Sequence, residues 1–183
     1  MDLSRVRKKL EEAGFFLGKM SEQEQRLTGH RVPFDYYLSA FLSAGRTVDY
    51  RLCHEHKAVY KPWRKAWNAR ITTDENRLIK FMVDDRNDEV HESGSSRTVG
   101  EKGVPLPVGR YQSRRDGIFF SDDVVGSSSP NLIFRPSYSF TIDRADCEAT
   151  EACRKYLALL QRMWQNLKLT THRPRFSVIT AYF

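Results

Sequence analysis

The sequence predicts a mainly α-helical bundle of four to five helices, with a small antiparallel β insertion before the last long helix. Apolar residues recur at helical spacing in four long stretches of the chain. Between Ser93 and Asp143 that pattern breaks, over a length that would be unusual for a structureless loop in a compact domain. At 183 residues the chain is most economically one domain. We therefore expect a single domain over residues 1–183, with a β-rich insertion at about 93–143.

The first two helices follow from apolar spacing and from one proline. Ser4 to about Met20 forms an amphipathic pattern, with Arg and Lys opposite the apolar side. Ser21 to Val32 is polar and predicts a bend, after which Pro33 suits the first turn of a new helix. Phe34 to about His56 is the strongest helical stretch. It contains a run of small residues that would let another helix or subunit come close: Ser39, Ala40, Ser43, Ala44 and Gly45.

The segment Tyr60 to Arg70 interleaves aromatic and basic residues and has two interpretations. Its aromatic rings would stack on bases while its cations hold phosphates, or it is a short connecting helix whose tryptophans pack on the bundle. The second interpretation is favoured because tryptophan is usually buried. In both, the basic side chains can face RNA, and we predict RNA contacts by Arg46, Lys61, Arg64 and Lys65. For Arg46 a solvated or ion-paired arginine is the favoured alternative.

Thr72 and Glu75 match a capping box, which predicts that a further helix begins there and runs to about His91. The insertion that follows contains the apolar run Leu132 to Phe134 and the alternating run Tyr138 to Ile142, both typical of strands. Two weaker strand candidates are Val108–Ser113 and Gly117–Phe120. Two glycine-containing tips are expected to be mobile, Gly100–Gly103 and Gly126–Ser129. The last long helix is predicted from Asp143 to about Leu167. The tail, Arg175 to Phe183, alternates and would add a strand or cover a partner.

Charge and cysteine usage limit the class of function. The net charge is +7 and the pI about 9.4, which favours anionic partners, although many housekeeping domains are equally basic. No apolar run is long enough to cross a bilayer, and the N-terminal pattern is not that of a signal peptide. The three cysteines have no CxxC spacing, which argues against a disulfide framework or a zinc site. We expect a cytoplasmic protein with reduced thiols, no metal and no cofactor.

The stretch Arg86-Asn87-Asp88-Glu89-Val90-His91 concentrates chemistry at the end of a predicted helix. The pattern of an arginine followed by a polar residue, with a histidine a few positions later, resembles the RNase motif of the HEPN domain family. The members of that family are mostly short helical bundles. The resemblance implies a metal-independent endoribonuclease that acts as a homodimer, with a composite cleft of paired arginines and histidines. It also implies roles in toxin–antitoxin, antiviral or RNA-processing systems, often with a nucleotidyltransferase-type antitoxin partner.

The residue types fit that chemistry on their own terms. RNA carries its own nucleophile, the 2′-hydroxyl, so cleavage needs only a base, an acid and positive charge on the phosphate. His91 suits the acid and base roles near neutral pH. Arg86 keeps its charge and fits phosphate oxygens, and Asn87 would orient the phosphate or His91. Positions 86 and 91 differ by about 140° on an ideal helix. They converge if the helix ends or loosens near His91, or if two copies face each other across a two-fold axis.

Other interpretations of this stretch stay open. The four acidic residues around Arg86 would make it a surface ion-pair residue, and His91 would be a cation at a helix C-terminus. These carboxylates could instead bind a divalent ion, but no second acidic cluster completes an obvious site. The chain as a whole would then be a non-catalytic HEPN-like module that binds RNA or protein, or a scaffold whose insertion and tail bind a protein. The four acidic residues around Arg86 are Asp84, Asp85, Asp88 and Glu89.

Overall fold

The computed structural model describes residues 3–26, 32–91, 96–105 and 132–172. These residues form five α-helices and a three-stranded antiparallel sheet of order β1-β2-β3. The mainly α prediction, with a small antiparallel sheet before the last long helix, is confirmed. In chain order the elements are α1 Ser4–Glu24, α2 Val32–Glu55, α3 Lys57–Asn68, α4 Thr73–His91, β1 Thr98–Pro105, β2 Leu132–Ile142, β3 Ala145–Glu148 and α5 Ala149–His172. Among the described helices, none is long and apolar enough to cross a bilayer.

Helix α1 buries one apolar face against α2 and α5 and extends beyond the predicted end at Met20. The extra turn forms because Gln23 is buried and Glu24 accepts a hydrogen bond from the hydroxyl of Thr150 on α5. Burial raises the pKa of Glu24 above its ordinary value. The first residues of the polar segment, Ser21 to Glu24, therefore belong to α1 and not to the predicted bend.

Helix α2 lies at the centre of the bundle and contacts each of the other helices. Pro33 occupies its first turn, as predicted. Gly45 faces the ring of Tyr156 on α5, and a Cβ atom at this position would lie 2.8 Å from the Tyr156 Cε1 atom. The small residues of α2 thus allow a second helix to approach closely, which confirms that part of the prediction.

The sheet packs on the helices through β2. The Tyr138 ring stacks on Phe34 of α2 with 3.6 Å between ring centroids, and Phe140 makes an edge contact with Phe81 of α4. Both strand aromatics are fully buried. The strand predicted around Tyr138 to Ile142 is therefore confirmed, and its inward-facing rings join the sheet to the helical core.

Two sequence predictions in this region are wrong. Residues Gly100–Gly103 lie inside β1, paired with Ser137 to Phe134 of β2, and do not form a loop tip. The last helix starts at Ala149, because residues 143 and 144 form the turn of a β2–β3 hairpin. Asp143 and Arg144 have φ values of 52° and 67°, the left-handed backbone that two-residue hairpin turns require. The remaining candidates, Val108–Ser113, Gly117–Phe120, Gly126–Ser129 and the tail Arg175–Phe183, lie outside the described residues.

Replacement of Gly45 by alanine should destabilise the protein, because the new methyl group meets the buried Tyr156 ring. We expect the free energy of unfolding to fall by about 1–3 kcal/mol in urea titrations followed by circular dichroism. Gly18→Ala is the matched control, since Gly18 is exposed on α1 and has no other atom within 4 Å of the added Cβ. It should gain about 0.5–1 kcal/mol from helix propensity. Equal effects at the two positions would contradict the close approach of α2 and α5.

Arg144→Gly should stabilise the hairpin, because glycine adopts positive φ without the steric cost that a side chain imposes. The expected gain is about 1 kcal/mol in the same unfolding measurement. Arg154→Gly, at an exposed position within α5, should instead lose about 1 kcal/mol. A loss of stability in Arg144→Gly would show that the turn does not hold residue 144 in the left-handed region.

Candidate functional site

The motif residues occupy the last two turns of α4. The helix begins with the predicted capping box, in which the Thr72 amide donates to Glu75 Oε2 at 2.9 Å and the Glu75 amide donates to Thr72 Oγ1 at 3.2 Å. Helical backbone continues to His91, the last residue of α4. On this continuous helix, positions 86 and 91 are separated by about 140°. The His91 side chain lies outside the part of the chain that the structure describes.

Arg86 is half-buried and is not an ion-paired surface residue among the described side chains. Its Nε atom is buried without a hydrogen-bond partner, and its Nη1 atom donates to Asn87 Oδ1 at 3.4 Å. No carboxylate whose side chain the structure describes forms a salt bridge with it; these include Asp84, Asp85 and Asp88. Among the described side chains, the guanidinium therefore contacts only the amide of Asn87 and no carboxylate neutralises it.

Asp85, the residue before Arg86, is buried and bonds to the segment that precedes β1. It is 2% exposed, and its Oδ1 atom accepts hydrogen bonds from both the amide and the hydroxyl of Ser96, each at 2.7 Å. This carboxylate thereby ties the end of α4 to the residues that lead into β1. One of the four acidic neighbours of Arg86 thus has a structural role.

The predicted RNA contacts Arg46 and Arg64 share one carboxylate, Asp49 of α2. Arg46 Nη1 lies 3.2 Å from Asp49 Oδ2, and Arg64 Nε lies 3.6 Å from Asp49 Oδ1. The Tyr60 hydroxyl also donates to Asp49 Oδ1, and Arg64 Nη1 lies 3.1 Å from the Met163 sulfur on α5. Burial and the Asp49 charge raise the pKa of Tyr60, so its hydroxyl stays a donor. These contacts hold α2, α3 and α5 together and leave the cluster one net positive charge.

Helix α3 packs its aromatic residues on the bundle and leaves Lys61 and Lys65 exposed. Trp67 is buried, Trp63 is half-buried against the core, and the two indole rings stack with 5.6 Å between centroids. Lys61 and Lys65 are exposed, whereas Arg64 is half-buried against Asp49 and Met163. The interpretation in which the tryptophans pack on the bundle is therefore confirmed.

A cavity of about 460 Å³ lies between the first turns of α4, the β2–β3 hairpin and α5. The motif is at the other end of α4. Its walls are largely apolar, with Leu78, Ile142 and Leu159 among them, and the Glu75–Arg162 ion pair lies at its edge at 2.7 Å. Cys147 also lines it, but burial raises the pKa of this thiol, which disfavours a thiolate nucleophile. Sequence motifs gave no signal for the cavity, because it forms only where distant segments meet.

Neither a metal site nor a relative identifies the function. Among the described residues, no group of three or more His, Cys, Asp or Glu side chains lies close enough together to hold a metal ion. A comparison of the chain with protein-family models, curated proteins and solved structures found no match. The residues of this chain therefore carry any inference about its function.

Asp85→Ala should destabilise the protein, because it removes both hydrogen bonds to Ser96. We expect a loss of about 1–3 kcal/mol in the free energy of unfolding. Asp88→Ala is the matched control, since Asp88 is exposed on the same helix and forms no ion pair with a described side chain. Its effect should stay within about 0.5 kcal/mol. If the two variants behave alike, Asp85 does not hold the α4–β1 connection.

Proposed function

We propose that this chain is a HEPN-type endoribonuclease that cleaves RNA without a metal ion, with Arg86, Asn87 and His91 as its catalytic residues. One observation carries the proposal, the state of the Arg86 side chain. Its guanidinium is half-buried, has an unbonded Nε and pairs with no described carboxylate, although acidic residues flank it in the sequence. Such a group binds a phosphate through its charge and through its terminal N–H groups, of which Nη1 also contacts Asn87 Oδ1.

In the proposed reaction, the RNA 2′-hydroxyl attacks the adjacent phosphorus. One imidazole takes the hydroxyl proton, the bond between O2′ and phosphorus forms, and the bond between phosphorus and O5′ breaks. A second imidazole gives its proton to the departing O5′. Arg86 stabilises the negative charge that develops on the phosphate oxygens, and Asn87 holds the guanidinium through the contact between Nη1 and Oδ1. The products are a 2′,3′-cyclic phosphate and a 5′-hydroxyl.

The need for two imidazoles supports a homodimer. One copy of the motif contains one histidine, and residues 86 and 91 leave a continuous helix about 140° apart. A two-fold axis that brings two copies of α4 together supplies both the base and the acid in one cleft. By resemblance to the same family, the protein would act in the cytoplasm as a toxin or defence component, with a nucleotidyltransferase-type antitoxin as partner.

RNA contacts outside the cleft are assigned to the basic residues of α2 and α3. Lys61 and Lys65 are exposed, and no described carboxylate pairs with them. Arg46 and Arg64 are bound to Asp49, so their part is to raise the positive potential beside the lysines.

The test is cleavage of a mixed-sequence RNA by purified protein in excess EDTA, with analysis of the new RNA ends. Wild-type protein should produce cyclic-phosphate ends, and Arg86→Ala and His91→Ala should each reduce the rate by at least about 100-fold. Lys80→Ala is the matched control, because Lys80 is exposed on the same helix outside the motif. It should cleave like wild type.

Two results would contradict the proposal. Cleavage by Arg86→Ala at the wild-type rate removes the arginine from the mechanism, and cleavage that requires a divalent ion removes the metal-independent reaction. The second candidate, a non-catalytic HEPN-like module that binds RNA, is favoured by the exposed lysines of α3, which do not depend on the motif. RNA binding without any cleavage would support it.

A further inference from the structure

Helix α3 presents a regular row of cations to solvent. Lys57, Lys61 and Lys65, here called the α3 lysine row, follow each other at intervals of four residues, and all three are exposed. No ion pair connects them to a described carboxylate, and α3 itself contains no acidic residue. Four helical residues rise about 6 Å, a distance comparable to one nucleotide step of an extended strand.

The row is held in place by the opposite face of the same helix. Tyr60 and Trp67 are buried there, and Arg64 contacts Asp49 of α2 and the sulfur of Met163 on α5. Because α3 is anchored to two other helices, the direction of the lysine row relative to the bundle is fixed. The cost of ordering it on binding is correspondingly small.

An exposed aromatic pair lies on the part of α2 that packs against α3, since Asp49, the residue before Tyr50, accepts a hydrogen bond from Tyr60, the residue before Lys61. Tyr50, in the last two turns of α2, is 59% exposed and stacks on His54 with 5.8 Å between ring centroids and 18° between planes. Tyr50 thus keeps more than half of its surface open to solvent near the end of α2. Only His56 separates the end of α2 from the start of α3.

The acidic residues near this surface already have partners. Asp49 binds Arg46, Arg64 and Tyr60, and Glu55 pairs with Arg51 at 3.4 Å and with Arg5 at 3.8 Å. The third acidic residue of α2, Asp35, pairs with Arg97 before β1. An anionic strand on the lysine row therefore meets no unpaired carboxylate of α2 or α3.

We propose that the Tyr50–His54 stack and the α3 lysine row form a binding track for single-stranded RNA. A base stacks on the Tyr50 ring, and successive phosphates lie against Lys57, Lys61 and Lys65. Single strands are selected because base faces in a duplex are covered by neighbouring bases, whereas an unpaired base can stack on an aromatic side chain. The choice of RNA as the ligand rests on the proposed function. The track adds to that function that the substrate of the ribonuclease is unpaired RNA.

The test measures binding separately from cleavage, with a fluorescent 2′-O-methyl RNA that lacks the nucleophile. Fluorescence anisotropy at several salt concentrations should show tighter binding of the single strand than of the same strand in a duplex. Tyr50→Ala should weaken single-strand binding by about 10-fold. Tyr36→Ala, at an exposed tyrosine 69% accessible on the same helix, should leave it unchanged.

Charge is tested by two triple variants that remove the same number of cations. The triple variant of the α3 lysine row, each lysine replaced by glutamine, should reduce the slope of log affinity against log salt by about two. The control replaces Lys8, Arg26 and Lys80 by glutamine, three exposed residues with no ion pair to a described carboxylate. It should change the slope little.

Three outcomes would overturn the track: equal affinity for duplex and single strand, no effect of Tyr50→Ala, or equal effects of the two triple variants. Each is separable from failure of the proposed function. If the track fails while cleavage still depends on Arg86 and His91, the enzyme stands and RNA reaches it by another surface. If binding follows the track while no RNA is cut, the track stands as part of a binding module.

Discussion

The position of a few carboxylates decides which cations of this bundle are available to an anion. Asp49 accepts a hydrogen bond from Tyr60 and pairs with two arginines, and Asp85 is directed inward to Ser96. An ion pair at a half-buried site is screened less by salt than one in water, so salt weakens the pairs of Asp49 with the two arginines only a little. Among the described residues, Arg86 and the lysines of α3 lie outside such pairs. The same contacts that hold the helices together therefore leave a distinct set of positive charges for a phosphate.

Those contacts depend on how closely α2 approaches its neighbours. Gly45 allows the Tyr156 ring to lie against the α2 backbone, which brings α5 near enough for Met163 to contact Tyr60 and Arg64 of α3. Burial raises the pKa of Tyr156, as it does for Tyr60, so both phenols remain neutral donors in the core. The polar cluster at Asp49 can form only because the helices around it are tightly packed.

Much of the architecture could be predicted from the sequence, because apolar spacing and one capping box are local signals. The start of the last helix could not, since the hairpin turn uses Asp143 and Arg144 at positive φ where glycine or asparagine would have been recognisable. The glycines of Gly100–Gly103 suggested a loop, but these residues pair with β2 and form part of a strand. The site was less predictable. An Arg46–Asp49 pair three residues apart is a local pattern, whereas the Arg64, Tyr60 and Met163 contacts join residues far apart in the chain.

Arginine side-chain NMR tests most directly whether paired carboxylates decide which cations receive RNA. Each Nε–Hε group gives its own signal, so Arg86 can be compared with Arg46 and Arg64 in one titration with 2′-O-methyl single-stranded RNA. The Arg86 signal should shift progressively, because no described carboxylate pairs with its guanidinium, while the signals of the two arginines held by Asp49 should change little. Shifts at Arg46 and Arg64 with an unchanged Arg86 signal would contradict the account.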